Sequence, residues 1–75
     1  MIEKSDQRLR LNLRQLEVFT ATAREGSTRG AAQRVSRSQS AASTALAELE
    51  AALGAALFDR VGRRLVLNEN GRALL

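Results

Sequence analysis

The sequence predicts a mainly α fold, three helices followed by a short two-stranded hairpin, and three observations predict it. The first is the stretch from Gly26 to Leu53, GSTRGAAQRVSRSQSAASTALAELEAAL, which reads as a short helix, a tight polar turn and a longer helix. The second is the recurrence of apolar and small residues at helical spacing on both sides of that turn, in Leu13 to Ala23 and in Ala42 to Leu53. The third is a pair of β-prone runs, Leu57-Phe58-Asp59-Arg60 and Leu65-Val66-Leu67, joined by a connection that contains Gly62.

The 75 residues make one small domain, and a single core of this size supplies only ~3–5 kcal/mol of net stability. Cys and His are both missing from the sequence. That excludes a disulfide framework and removes the usual metal ligand and the usual general base. No apolar run approaches the ~20 residues that span a bilayer, and no signal-peptide pattern opens the chain. An intracellular, cytoplasmic protein is the expectation. Basic residues outnumber acidic ones by 12 to 8, for a net charge of +4. All but Lys4 of the basic residues are Arg, whose forked guanidinium matches phosphate and guanine edges better than Lys does. Codon bias in a GC-rich genome would give the same excess, so the clustering of the charge matters more. From Gly26 to Ala47 there is no acid, while Arg29, Arg34 and Arg37 all fall within that stretch.

Residues 1–11 show no clear period and mix both charges, which reads as a flexible N-terminal arm. Arg8 and Arg10 there are either phosphate contacts or part of a solvated tail. Asn12 is a good N-cap for the first helix. Leu13, Leu16, Phe19, Thr20 and Ala23 then define one buried face, and Gly26 supplies the stop. Val18 falls on the opposite side with Arg14, Gln15 and Thr22. It reads either as an ordinary exposed Val or as a surface covered by a helix outside this stretch of chain.

Ser27 or Thr28 caps a second helix from Arg29 to about Val35, with Ala31, Ala32 and Val35 inward. Two adjacent alanines let another helix approach closely, which suits a tight helix-turn-helix crossing; Gly30 within it costs ~1 kcal/mol relative to Ala. Ser36-Arg37 forms the turn and Ser38 caps the third helix, from Gln39 to Leu53. In it Ala42, Leu46, Leu49 and Leu53 make a core stripe. On its other side Gln39, Ser40, Ser43, Thr44 and Ala47 fall within one arc of roughly 140° at 100° per residue. That arc is small and uncharged, as a surface laid against base edges in a major groove requires.

Gly54 ends the third helix. The hairpin that follows carries Arg60, Arg63 and Arg64 around Val61-Gly62-Arg63-Arg64, and it reads as a wing over residues 60–65, able to lie on a phosphate backbone or reach a minor groove. Asp59 beside Arg60 reads as a surface ion pair worth little. Asn68 caps a further helix with Glu69 in its first turn. Its apolar pattern, through Ala73, Leu74 and Leu75, stops after one or two turns, too few to stand alone. Residues 12–67 thus read as a winged helix-turn-helix and residues 68–75 as the start of a linker helix, cut from a longer protein.

Enzyme signatures are missing: there is no nucleophile–base pair, no glycine-rich phosphate loop and no metal-ligand cluster. No cofactor is implied. The two aromatics, Phe19 and Phe58, sit in core positions rather than on an RNA-stacking surface.

LNLRQLEVFTATAREGS (Leu11 to Ser27), AAQRVSRSQSAAS (Ala31 to Ser43) and LAELEAALGAALFDRVGRRLVLNENGRALL (Leu46 to Leu75) resemble the N-terminal winged helix-turn-helix domain of LysR-type transcriptional regulators. SQSAAS together with LFDRVGRRLVLNENGR looks like the branch of the cysteine and sulfite-metabolism regulators. The resemblance implies a DNA-binding domain of a bacterial regulator, with double-stranded promoter DNA as partner. It also implies a homodimer or tetramer formed through the linker helix in the full-length protein, on whose packing surface Val18 would lie, and a small-molecule effector bound by a domain outside these residues. By position it assigns base reading to Gln39, Ser40, Ser43 and Thr44. It assigns phosphate proximity to Ser27, Thr28 and Ser38, and wing contacts to Arg63 and Arg64. Departures from the family pattern fall at Thr28, where Phe is common; Arg37, where an aliphatic usually plugs the turn; Ser40, where Pro is common; and Thr44, where Arg or His is common. Arg37 is expected to lay its stem on the core and turn its head towards phosphate. Ala42 and Ala55 replace larger aliphatics, so the core is expected to be thin. A winged helix used for protein–protein contact is the alternative reading, and a salt titration on random duplex DNA separates the two.

Overall fold

A computed structural model describes residues 12–75 of the protein; the arm expected over residues 1–11, with Arg8 and Arg10, lies outside the described residues. The chain runs α1 (Leu13–Glu25), α2 (Thr28–Arg34), α3 (Gln39–Leu53), β1 (Phe58–Val61), β2 (Arg64–Leu67) and α4 (Glu69–Leu74). The strands pair antiparallel with Phe58 opposite Leu67 and Val61 opposite Arg64, which leaves Gly62-Arg63 as a two-residue turn. The hairpin is therefore longer and its loop tighter than the four-residue connection the sequence suggests.

Each helix begins at a polar cap. Asn12 accepts from the Gln15 backbone N–H at 2.8 Å, and the Gln15 side chain accepts in return from the Asn12 N–H, completing a capping box. Ser27 caps α2 by accepting from Gly30 N–H, Ser38 caps α3 by accepting from Ala41 N–H, and Asn68 caps α4 by accepting from Gly71 N–H. α1 and α3 both end at glycines in the left-handed conformation, Gly26 and Gly54.

The core gathers Val18 and Phe19 of α1, Ala32 of α2, Ala42, Ala45, Leu46 and Leu49 of α3, and Leu57 just before β1. Leu16, Val35, Phe58, Leu67 and Leu74 pack around it, half-buried. The Phe19 and Phe58 rings meet tilted at 57° with centroids 5.7 Å apart, a favourable aromatic geometry. Gly30 has a reason to be in α2: a Cβ there would come within 2.8 Å of the Glu25 Cβ, so the corner between α1 and α2 needs a residue without one.

The face of α1 that the fold buries is rotated from the one the sequence favours: Phe19 is common to both and Leu16 packs at the edge of the core, but Leu13 is left outside. Val18 is 0% exposed and Leu13 is 72% exposed. Gln15, Val18, Phe19, Ala21 and Thr22 face inward, while Leu16, Thr20 and Ala23 are half-buried. The helix carries apolar residues on two sides, and Leu13 is the large one left exposed. The inner side works because its polar groups are satisfied locally: Thr22 Oγ1 donates to the Val18 carbonyl at 2.7 Å, and Gln15 Nε2 reaches Glu48 of α3 at 3.5 Å. Val18 is thus interior, not a surface waiting for a helix beyond this stretch. In α3 the stripe Ala42, Leu46, Leu49 is buried as expected, but Leu53 is 37% exposed and Ala45 takes a core place instead.

These placements predict opposite outcomes for two truncations on one helix. Val18→Ala should lower stability by about 2 kcal/mol, the usual cost of deleting buried methyls. Leu13→Ala should change it by less than ~0.5 kcal/mol, as is usual at exposed positions. Paired urea denaturation curves check both, and equal losses would contradict this orientation of α1.

Candidate nucleic-acid interface

The turn between α2 and α3 is built by an unusual residue. Ser36 has φ 58, the one non-glycine among the described residues with positive φ. The Arg37 N–H then returns to the Ala32 carbonyl at 2.9 Å and closes the end of α2, a helix ending that ordinarily uses Gly. Ser36 and Arg37 are both exposed, so Arg37 stands out from the turn rather than plugging it. Ser38 follows in extended conformation and its oxygen caps α3. Its hydroxyl hydrogen is not used by that cap and remains free to donate; Ser27 stands the same way at the start of α2.

Gln39, Ser40, Ser43, Thr44 and Ala47 are all exposed along α3, opposite the buried Ala42, Ala45, Leu46 and Leu49. The structure therefore brings the four expected base-reading residues together on one open helix face. Thr28 is half-buried in the first turn of α2.

The cations divide differently. Arg34 of α2 pairs with Glu25 of α1, Nη1 to Oε2 at 3.2 Å. An acid from outside the acid-free stretch therefore partners one of its three arginines. The pair is exposed and contributes ~0–1 kcal/mol. Asp59 and Arg60, expected to pair, do not: they are neighbours on a strand, and neighbours point to opposite faces of a hairpin. The same alternation separates the wing arginines. Arg60 lies opposite Leu65, on the face of Phe58 and Leu67 that turns to the body, whereas Arg64 lies opposite Val61 on the other face. Arg63 is at the tip. All three are exposed.

The hairpin is fastened to the helices at two points. Leu65 N–H donates to the Gly26 carbonyl at 2.8 Å, and Leu57 N–H donates to the Glu50 carboxylate at 2.8 Å, holding the entry to β1 against α3. Asn68 N–H donates to the Leu57 carbonyl at 3.0 Å and closes the base of the hairpin on itself. The Asn68 and Asn70 side chains both donate to the Ala56 carbonyl. By sequence Glu50 reads, like Glu48, as part of a solvated helix face, and Asn70 carries no signal, since long-range side-chain bonds leave no local periodic pattern; the structure instead makes Glu50 half-buried and an anchor.

A helix-turn-helix with an open, uncharged third-helix face and a basic two-stranded hairpin is the arrangement of a winged-helix module. The chain matches the family described as bacterial regulatory helix-turn-helix proteins of the lysR family over residues 13–72, and it belongs to that family. Its similarity to the HTH-type transcriptional regulator YeiE of Escherichia coli K12 is 54% identity over 66 residues, covering 88% of this chain and 22% of the relative. The RuBisCO operon transcriptional regulator of Allochromatium vinosum is 44% identical over 64 residues, covering 85% of this chain and 21% of the relative. Among solved structures, the DNA-binding domain of CbnR in complex with DNA superposes with a TM-score of 0.80 at 37% identity, covering 87% of this chain and 75% of that one. A mutant of OxyR from Corynebacterium glutamicum superposes at 0.82 with 36% identity, covering 85% of this chain and 21% of that one. The chain spans about a fifth of the length of the curated relatives it matches. These relatives are transcriptional regulators, and the chain is a regulator's helix-turn-helix domain, not an enzyme. No described helix is long and apolar enough to cross a membrane.

The left-handed Ser36 gives a stability test of the turn. Ser36→Gly should raise stability by on the order of 0.5 kcal/mol, the relief of left-handed strain less the added chain entropy of Gly. A shift of the urea midpoint to lower concentration would show that the turn is not strained there.

Proposed function

We propose that this chain is the sequence-specific DNA-binding module of a LysR-type transcriptional regulator. In this reading α3 enters the major groove and the hairpin lies on the flanking backbone or in the adjacent minor groove. The observation that carries it is the outer face of α3: Gln39, Ser40, Ser43 and Thr44 are exposed together and uncharged, on a helix whose opposite side is in the core. An acid on that face would repel phosphates, and bulky side chains would hold the helix away from the base edges. The likeness to a domain solved in complex with DNA supports the DNA-binding reading.

Gln39 is the principal base reader, because its amide can pair bidentately with adenine. Ser40, Ser43 and Thr44 add shorter contacts along the same face. Ser27, Thr28 and Ser38 donate to phosphates from the helix starts, and Arg37, Arg60, Arg63 and Arg64 supply cations. Arg37 stands at the turn and Arg63 at the hairpin tip, both exposed.

The same reading takes residues 12–67 as the DNA-binding domain and residues 68–75 as the first turns of a linker helix. That helix pairs two chains in a dimer or tetramer, and a separate domain binds a small-molecule effector. The family resemblance supports these assignments, as does the far greater length of the relatives. The apolar surface that a pairing helix would cover in this reading is the open groove between α1 and the end of α2, lined by Leu13, Leu16 and Val35 and rimmed by Glu17, Arg24 and Arg34. Kinship with the regulators of cysteine and sulfite metabolism belongs to the proposal too, and rests on SQSAAS and LFDRVGRRLVLNENGR. A cytoplasmic location follows from the regulatory role.

Base readers and phosphate contacts respond differently to mutation. Gln39→Ala should cost ~1–3 kcal/mol on the preferred site and relax specificity at one base pair. Arg63→Ala should weaken specific and random duplexes alike and flatten the log–log salt slope by about 0.9. Selection of preferred duplexes followed by salt titration measures both. Unchanged site preference in Gln39→Ala would remove that residue from base reading, and no binding of the unaltered protein to random duplex at low salt would sink the DNA reading.

A further inference from the structure

Gly26 does two things at the corner between α1 and α2. Its φ of 76 ends α1 in the left-handed conformation, with its N–H returned to the Thr22 carbonyl at 2.8 Å. Its carbonyl accepts the Leu65 N–H at 2.8 Å and so ties β2 to the end of α1. Gly26 is itself buried, and the guanidinium of Arg64 covers it. A Cβ built on Gly26 would lie 2.5 Å from Arg64 Nη2, 2.7 Å from Cζ and 3.2 Å from Nη1. All three atoms meet that one point, so the guanidinium group lies across the space a side chain would fill.

The seat suits a cation. The end of α1 carries the negative pole of the helix, which attracts positive charge. No carboxylate pairs with Arg64 among the described residues. Arg64 also remains an exposed residue overall, so the group is held on one side and open on the other. An arginine at a hairpin end would otherwise sample many rotamers, and fixing it on binding costs about twofold to tenfold in affinity. Packed against Gly26, the guanidinium is restricted on that side.

We infer that Gly26 is a positioning residue for Arg64: the missing side chain at Gly26 forms the seat that holds the Arg64 guanidinium at the α1–α2 corner, beside Ser27 and Thr28, oriented for one DNA phosphate. The inference rests on the DNA-binding reading and adds to it a residue that touches no DNA. It also separates Arg64 from Arg63, which has no such seat at the tip. The contact between Gly26 and Arg64 spans most of the domain in sequence and joins the helix-turn-helix to the wing.

The test uses Gly26→Asn, because Asn tolerates the left-handed conformation yet carries a Cβ. Gly26→Ala serves as the strained counterpart. Each is measured alone and combined with Arg64→Ala, on a random-sequence duplex across a salt series, with circular dichroism and urea curves to establish folding. Arg64→Ala should flatten the log–log salt slope by about 0.9. Folded Gly26→Asn should keep the slope but weaken binding about twofold to tenfold, and it should weaken binding no further when Arg64 is already Ala. A folded Gly26→Asn with unaltered affinity, or losses that add fully in the double variant, would overturn the positioning role. If Arg64→Ala leaves the slope unchanged while the protein still binds duplex, Arg64 is not on a phosphate and the inference falls while the DNA reading stands. Failure of every variant and of the unaltered protein to bind would instead remove the DNA reading itself.

Discussion

The close approach of α2 to its neighbours is the constraint on which the rest of this fold depends. Ala31 and Ala32 of α2 and Ala42 and Ala45 of α3 are all buried, and Gly30 leaves room for the end of α1. Packed helices usually sit ~8–10 Å apart depending on the side chains between them, and methyl groups favour the short end of that range. A larger residue at Ala32 or Ala42 would have to push α2 off α3 or distort the turn, since interiors are close-packed. Either movement would shift the Ser38 cap and rotate the outer face of α3. The small side chains thus act less through the area they bury than through the separation they allow.

This constraint also explains why some elements could be read from the sequence and others could not. α3 was legible to its ends: Ser38 and Gly54 are local signals, and its two faces differ sharply in composition. α1 was legible in extent but not in orientation. Leu13, Leu16 and Phe19 offered a plausible inner face, yet the fold turned the helix so that Val18 and Thr22 join Phe19 inside, Leu16 stays at the core's edge and Leu13 is exposed. What decided was the partner surface. α3 and the hairpin present Ala42, Leu49 and Leu57 to α1, and a Val–Thr–Phe side with a Gln at its start fits there. Thr and Gln look polar in a sequence pattern, but a Thr that bonds its own helix and a Gln in a capping box bring little unsatisfied polarity inside.

Charge was legible in amount and not in arrangement. The acid-free run from Gly26 to Ala47 correctly marked an open face on α3, because neighbours along one helix stay neighbours in space. It failed for Arg34, whose acid sits just before the run and meets it across the α1–α2 corner. It failed again in the hairpin, where Arg60 and Arg64 are near in sequence but fall on opposite faces. Pairing register decides such questions, and a four-residue strand carries too little pattern to fix its register from sequence alone. The seat at Gly26 had no local signal beyond a helix stop, because the group that occupies it comes from β2.

The attachment of the hairpin bears on how such a domain could hold DNA. A lone two-stranded hairpin is marginal in water, and these strands are only four residues each. Here the base of the hairpin is pinned by Glu50, Asn68 and Asn70 at the Ala56–Leu57 entry, and its second strand is pinned to Gly26. The hairpin therefore cannot swing about its base without breaking the Leu65–Gly26 and Leu57–Glu50 hydrogen bonds and parting the Phe19 and Phe58 rings. Its position relative to α3 is set before any ligand arrives. On the DNA reading, the wing cations and the α3 face would meet the duplex at a fixed separation, and little ordering would be left to do on binding. A flexible wing would offer the same charges at greater entropic cost, and the distance between groove and backbone contacts would then carry no information about the site.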